Sequence, residues 1–279
     1  MKTKLLSPSM GLEVTDFDLA HLQSHNAGEL LELLYHYKIL VFRCQALDNN
    51  AYIGLAEKLG SICKYPFSEG LDGYPQIVQI KKTPEQKKNF SEMWHVDSTY
   101  LNNPPDFTLL SAEVTPTLGG DTVFSNATLA FESLSGRLKD LLRGLDCLYV
   151  SDLHNQDRTQ HLANNIERAT FKSIHPAVKV HPFTRKESLY INQEHASCFV
   201  GMSREESIPL INYLTDFIKR SEFTLRLKWE AGTIALWDNR CVQHHAVNDY
   251  AGHLRIMNRI TLMDRGVANE QCFAEAAHG

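Results

Sequence analysis

The last third of the chain carries four short β-type runs separated by turn residues: Phe223–Lys228, Thr233–Trp237, Cys241–Ala246 and Leu254–Met263. Runs this short bury little surface alone, so they must pair with one another, and antiparallel neighbours need only tight turns to do so. The first part of the chain reads differently. Asn26 precedes Ala-Gly-Glu-Leu-Leu-Glu-Leu-Leu, an amphipathic helix with an Asn cap, and Lys38–Arg43 follows as a buried strand. Asp48 or Asn49 caps a second helix through Leu59, which Gly60 ends. Short strands are expected at Gln76–Ile80, Phe107–Glu113, Asp121–Phe124 and Cys147–Ser151, with helices at Asn126–Leu134 and Ser135–Leu142. Ser203-Arg204-Glu205-Glu206 has the form of a capping box opening a helix to Lys219. Helices first and many short strands later point to an α+β protein built on an antiparallel sheet or barrel.

No repeat, low-complexity tract or linker-like shift divides the chain, so residues 1–279 read as one domain. Within it, the polar stretch 152–176 with its three histidines reads either as a lid or binding loop or as a plain surface excursion. A net charge of -5 gives no basic excess for nucleic acid. No run approaches the roughly 20 apolar residues that span a bilayer, and the N-terminus lacks the apolar stretch of a secretory signal. The six cysteines are scattered without a Cys-x-x-Cys pair, which fits reduced thiols and a cytoplasmic enzyme better than a zinc knuckle or disulfide framework.

Trp94-His95-Val96-Asp97 is the most informative local feature. On an extended strand, residues two apart face the same way, so His95 and Asp97 would offer an imidazole nitrogen beside a carboxylate. His244 and His245 lie far downstream on a strand-type run, facing opposite ways, so only one of them can complete a triad. Two histidines and a carboxylate leave three adjacent positions open on a metal, which suits non-haem iron(II). A zinc hydrolase can use the same ligand types.

Arg255 and Arg259 separate the two. On a strand over Leu254–Met263 they share a face, and two guanidiniums aimed inward are costly unless anions meet them. An arginine ordinarily pairs with an acid of its own chain, here Asp249 or Asp264. A metal flanked instead by two planar anion grips implies two anionic small molecules.

Taken together, these residues resemble the taurine and phenoxyacetate dioxygenases, the TauD/TfdA family of 2-oxoglutarate oxygenases. The resemblance runs through Trp94-His95-Val96-Asp97-Ser98-Thr99-Tyr100, Gly119-Gly120-Asp121-Thr122, Trp237-Asp238-Asn239-Arg240 with Gln243-His244, and Arg255-Ile256-Met257-Asn258-Arg259. It covers nearly the whole chain. It implies a double-stranded β-helix (jelly roll) with helices packed outside, and an Fe(II) site held by His95, Asp97 and His244, not His245. By the same resemblance Arg255 and Thr122 hold the outer carboxylate of 2-oxoglutarate, O2 is the second co-substrate, and Arg259 grips the prime substrate. Related halogenases lack the carboxylate found here as Asp97, so its presence favours hydroxylation. Relatives are often dimers or tetramers, which makes a homo-oligomer an expectation.

The implied substrate is a small organic anion, such as an alkylsulfonate or aryloxyalkanoate. In the loop Cys63-Lys64-Tyr65-Pro66-Phe67, Tyr65 matches a substrate-contacting tyrosine, but Ile62 stands where taurine dioxygenase has histidine, which argues against taurine itself. His195, in His-Ala-Ser, matches a histidine near the substrate of phenoxyacetate dioxygenases. The same scaffold also serves biosynthetic oxygenases of amino-acid derivatives.

Overall fold

The computed structural model describes residues 1–154, 161, 162, 164 and 170–266. The chain opens with strands β1 (Lys2–Leu5) and β2 (Leu12–Thr15), helix α1 (Ser24–Tyr37), β3 (Ile39–Phe42) and α2 (Asn49–Leu59). Next come β4 (Ser61–Ile62), β5 (Val78–Lys82), β6 (Phe107–Val114), β7 (Thr122–Asn126), α3 (Ala127–Glu132), α4 (Gly136–Arg143) and β8 (Asp146–Val150). The remainder is β9 (Lys172–Pro176), β10 (Val178–Val180), β11 (Glu187–Leu189), β12 (Ala196–Phe199), α5 (Arg204–Phe217), β13 (Thr224–Leu227), β14 (Ile234–Asp238), β15 (Val242–Ala246) and β16 (Arg255–Met263).

The principal sheet runs β1-β2-β3-β14-β6-β16-β4, with β5 also paired to β16. A second sheet, β13-β7-β15, is antiparallel throughout. Strand alternation decides how these layers stack. Phe42, Leu109, Leu236 and Ile260 turn toward Leu30, Leu34 and Leu55 of the helices. Their neighbours Val41, Leu110, Ala235 and Met257 turn the other way, toward Phe124, Leu225 and Val242 of the second sheet. The principal sheet is thus covered by α1 and α2 on one face and by the second sheet on the other. Each fully buried Leu or Phe in these layers contributes roughly 1.5–3 kcal/mol. A third sheet, β12-β8-β9, packs with α3 and α5 around Phe131, Tyr149, Phe199 and Leu214. Among the described residues, no helix is long and apolar enough to cross a membrane.

The expected elements recur with shifted ends. Asp48, Asn126 and Ser135 each cap a helix through the side chain, and Ser203 with Glu206 forms the capping box. Asn26 does not cap: α1 begins at Ser24, after Gln23, whose side chain makes no capping bond. The strand expected at Gln76–Ile80 is Val78–Lys82, a shift set by its pairing with Arg255–Arg259. Gly60 follows α2 in an extended conformation, not a left-handed one. Glycine is needed there because a Cβ would sit 2.6 Å from the Met263 carbonyl oxygen. The expected loop over 152–176 lies partly outside the described residues, and its last five residues form β9.

Candidate metal centre and anion sites

His95, Asp97 and His244 converge, each buried, with ligand atoms all within 4.8 Å of one another. Ligands at right angles about 2.1 Å from a shared ion stand about 3 Å apart, so the cluster suits an ion after a small contraction. His244 sits on β15, as its alternation requires, and His245 turns away to stack on Trp94 with ring centroids 5.6 Å apart. The strand expected through His95 and Asp97 does not form. His95 makes a single two-bond bridge to His244, its N–H donating to the His244 carbonyl at 3.0 Å and its carbonyl accepting from the His244 N–H at 2.9 Å. Asp97 then enters a turn in which Ser98 has φ 53°. The bridge joins the two histidines directly, and the turn swings the carboxylate in beside them.

Hydrogen bonding assigns the protons. His95 Nδ1 bonds the Met93 carbonyl at 2.9 Å, and a carbonyl only accepts, so Nδ1 carries the hydrogen and Nε2 keeps its lone pair. Nε2 faces Asp97 Oδ1 at 3.8 Å. Glu194, fully buried, places Oε2 3.2 Å from the same Nδ1 and accepts from Ser91 Oγ. A carboxylate behind a ligand imidazole fixes its tautomer and raises its basicity. Asp97 is held by Thr108 Oγ1 and by Arg259 Nη1, the latter at 3.2 Å. His244 Nδ1 is buried with no hydrogen-bond partner among the described residues, and burial pushes this imidazole down to about 4. A neutral ring with an unpartnered nitrogen is what a metal ligand requires. These residues fit the metal.

That depressed histidine has a measurable consequence. Its folded value lies below the ordinary 6.5 of the unfolded chain, so on acidification the unfolded state takes the proton first. Metal-free protein should therefore lose stability as the pH falls from about 6.5 toward 4, by about 1.4 kcal/mol per pH unit for one such proton. Thermal melts in chelator across that range test this. His244→Asn should flatten the slope, and an unchanged slope would reject the assignment.

Arg255, Met257 and Arg259 point from β16 toward the second sheet, opposite Lys82, Ile80 and Val78 of β5. A cavity of about 60 Å³ opens there, lined by Thr122, Trp237, His95, His244, Arg255 and Arg259 among others. Arg255 donates from Nε to the Gly120 carbonyl at 3.1 Å. Gly120 has φ +70°, and a Cβ there would lie 3.3 Å from Arg255 Cδ, so glycine gives this arginine its passage. Thr122 Oγ1 accepts from Trp229 Nε1 at 2.9 Å, which leaves its own hydrogen to donate elsewhere. The acids expected to neutralise these arginines are engaged elsewhere: Asp249 with Arg226 at 2.8 Å and Asp264 with Arg240 at 3.2 Å.

Arg259 lies with its guanidinium carbon 4.5 Å from the Tyr65 ring centroid and 5.6 Å from that of Phe90. Nη1 reaches Asp97, while buried Nε and Nη2 have no hydrogen-bond partner among the described residues. Tyr65, Phe90, Tyr100 and His195 close around this group. His195 Nδ1 bonds Thr99 Oγ1 at 2.9 Å, and its ring stands edge-on to Tyr100. All eight expected site residues are thus brought together. Ile62 is not among them; it packs against the helix-side core and lines a separate surface cavity.

Sequence reasoning missed Glu194 and Phe90. The adjacent His-Ala-Ser motif drew attention one residue past Glu194, and nothing local marks a phenylalanine as an arginine's platform. Conversely, Trp237-Asp238-Asn239-Arg240 does structural work. Arg240 forks onto Asp238 through Nε at 2.9 Å and Nη2 at 2.6 Å, and His181 Nε2 lies 2.9 Å from the same carboxylate. Burial pushes the Asp238 carboxyl up, but Arg240 and His181 outweigh it and hold it well below the usual range. His181, Asp238 and Cys241 also cluster as possible ligands, but the guanidinium already saturates the carboxylate.

The family described as taurine catabolism dioxygenase TauD, TfdA family matches residues 2–261. An alkylsulfatase of Acinetobacter baylyi is 30% identical, the match covering 94% of this chain and 84% of that protein. An alpha-ketoglutarate-dependent sulfate ester dioxygenase of Pseudomonas putida is 30% identical over 88% of this chain and 82% of its own length. Among solved structures, a taurine dioxygenase from Burkholderia xenovorans superimposes with a TM-score of 0.80 at 29% identity, covering 94% of this chain and 90% of that one.

Proposed function

The chain belongs to the TauD/TfdA dioxygenase family, and from that membership we propose that it hydroxylates a small organic anion at a carbon beside the charged group. It is a 2-oxoglutarate-dependent dioxygenase using Fe(II), 2-oxoglutarate and O2. The finer reading of the fold is a jelly roll, supported by two packed layers, one antiparallel throughout and the other antiparallel apart from the parallel β2–β3 pair, with the site between them. His95, Asp97 and His244 would hold the iron, which when bound supplies the oxygen-activating redox chemistry.

The protein's own residues do the rest. Arg255 and Thr122 fix the outer carboxylate of 2-oxoglutarate, and Arg259 fixes the anion of the prime substrate. One observation carries this second assignment. The Arg259 guanidinium lies between two rings, with its Nε–Nη2 edge unpartnered beside the metal ligand Asp97. A planar edge with two donors matches a carboxylate, sulfonate or sulfate. The flanking Tyr65, Phe90 and Tyr100 exclude water and accept an apolar or aryl body. Hydroxylation beside the charged group makes an unstable product: an alkylsulfonate collapses to an aldehyde and sulfite, an aryloxyalkanoate to a keto acid and a phenol. The sulfate-ester chemistry in the relatives' names adds alkyl sulfates, which would release sulfate.

The test is O2 uptake and succinate formation across alkylsulfonates, alkyl sulfates, aryloxyalkanoates and amino-acid derivatives. One of the three anion classes should give succinate in step with its own breakdown product. Arg259→Gln should then raise the KM for that substrate about 10- to 100-fold, with Fe(II) and 2-oxoglutarate still bound. Turnover of a neutral or cationic compound, with none on any anion, would overturn the reading.

A further inference from the structure

Arg255 has an unexpected neighbour. In the β5–β16 register it stands directly opposite Lys82, on the same face of the sheet. Both side chains are buried, Lys82 at 3% exposure and Arg255 at 7%, and both line the cavity that holds Thr122. Like charges directly opposite on a sheet are destabilising. Among the described residues no carboxylate forms an ion pair with either. The nearest acids are engaged elsewhere: Glu92 accepts from the Asn89 N–H and Asn248, and Asp121 pairs with Arg226. Lys82 Nζ lies over the Tyr250 ring, 4.1 Å from its centroid. Tyr250 itself is anchored by its hydroxyl donating to Asn89 Oδ1 at 2.7 Å. Burial lowers the Lys82 ammonium from its ordinary value; Glu92 counters this and Arg255 adds to it.

A buried lysine facing a buried arginine is costly in the free protein, and an anion between them reverses the sign of the interaction. We propose that Lys82 is a second cationic contact for the outer carboxylate of 2-oxoglutarate, acting beside Arg255 and Thr122. This rests on the co-substrate reading above. A carboxylate has about four lone-pair sites, enough for a guanidinium fork, a hydroxyl and an ammonium together. The aromatic face of Tyr250 holds the ammonium at the pocket wall until the carboxylate arrives.

The experiment uses Lys82→Met and, as a second variant that keeps a polar end, Lys82→Gln. Binding is followed anaerobically with Fe(II) by the weak visible charge-transfer band, for 2-oxoglutarate and for 2-oxopentanoate, which lacks the outer carboxylate. Either variant should weaken 2-oxoglutarate about tenfold and change 2-oxopentanoate less than about twofold. Metal-free Lys82→Met should also melt above wild type, because a repulsive pair has been removed, and gain less from added 2-oxoglutarate. Equal weakening of both acids, unchanged 2-oxoglutarate binding, or a variant melting below wild type would each overturn the proposal. Wild-type protein that gives no band with 2-oxoglutarate would instead sink the underlying co-substrate reading, which keeps the two failures apart.

Discussion

Replacing His244 by alanine should reduce succinate formation to background and weaken Fe(II) binding by far more than the roughly 10- to 100-fold that loss of an outer partner costs. The residue is the cleanest of the triad to remove. Its ring nitrogen Nδ1 has no hydrogen-bond partner among the described residues, so imidazole removal sacrifices no polar network there. What it does remove is packing against Phe124 and Trp237, whose centroids lie 5.8 and 4.9 Å away. Unlike Asp97, which also neutralises Arg259, His244 can be lost without leaving a buried charge exposed to nothing. Calorimetric titration of the apoprotein with Fe(II) under anaerobic conditions checks this. A variant that folds, binds Fe(II) as wild type does and still turns over would remove His244 from the metal centre.

Arg255→Gln should leave Fe(II) in place and weaken 2-oxoglutarate by about a hundredfold, the loss of a charge-assisted, two-pronged contact in a dry pocket. The reason for so large an effect is burial. Arg255 donates to the Gly120 carbonyl, also meets the Tyr250 hydroxyl, and makes no ion pair among the described residues, so its charge is left for an anionic ligand. Burial lowers this guanidinium from its ordinary value, a cost that an incoming carboxylate relieves. The charge-transfer band gives the affinity, and metal content gives the control. If the variant lost the metal while keeping its fold, the division of labour between triad and arginine would be wrong.

These two outcomes and the Lys82 test bear on different parts of one cavity. In the proposed division of roles, His244 answers for the metal, Arg255 and Lys82 for the outer end of the co-substrate, and Arg259 for the prime substrate. Arg259 couples the last to the first, since its Nη1 holds Asp97 while its other edge remains for an anion. Substrate arrival would therefore tug on a metal ligand.

Much of this was legible in the chain. Period-two alternation is a property of neighbouring residues, so it separated His244 from His245 and put Arg255 and Arg259 on one face before any fold was known. Helix starts at Asp48, Asn126, Ser135 and Ser203 were equally local, because a capping side chain bonds a backbone N–H within three residues. The local rules failed where a distant partner took over. Asn26 lost its capping role because the chain enters α1 from Gln23, and β5 moved two residues because β16 dictates its register. His95 and Asp97 meet through a bridge and a turn, not through a strand.

By itself the sequence determined which groups could do chemistry and which of them share a face. Only the tertiary structure decided their charge partners. Asp249 went to Arg226 and Asp264 to Arg240, so that among the described residues Arg255 and Lys82 face each other without an ion-paired acid. Glu194 went behind His95, from about a hundred residues away along the chain. The physical reason is that side-chain direction follows from backbone period, whereas ion pairing inside a protein follows from proximity and desolvation. Those quantities exist only once the layers have packed.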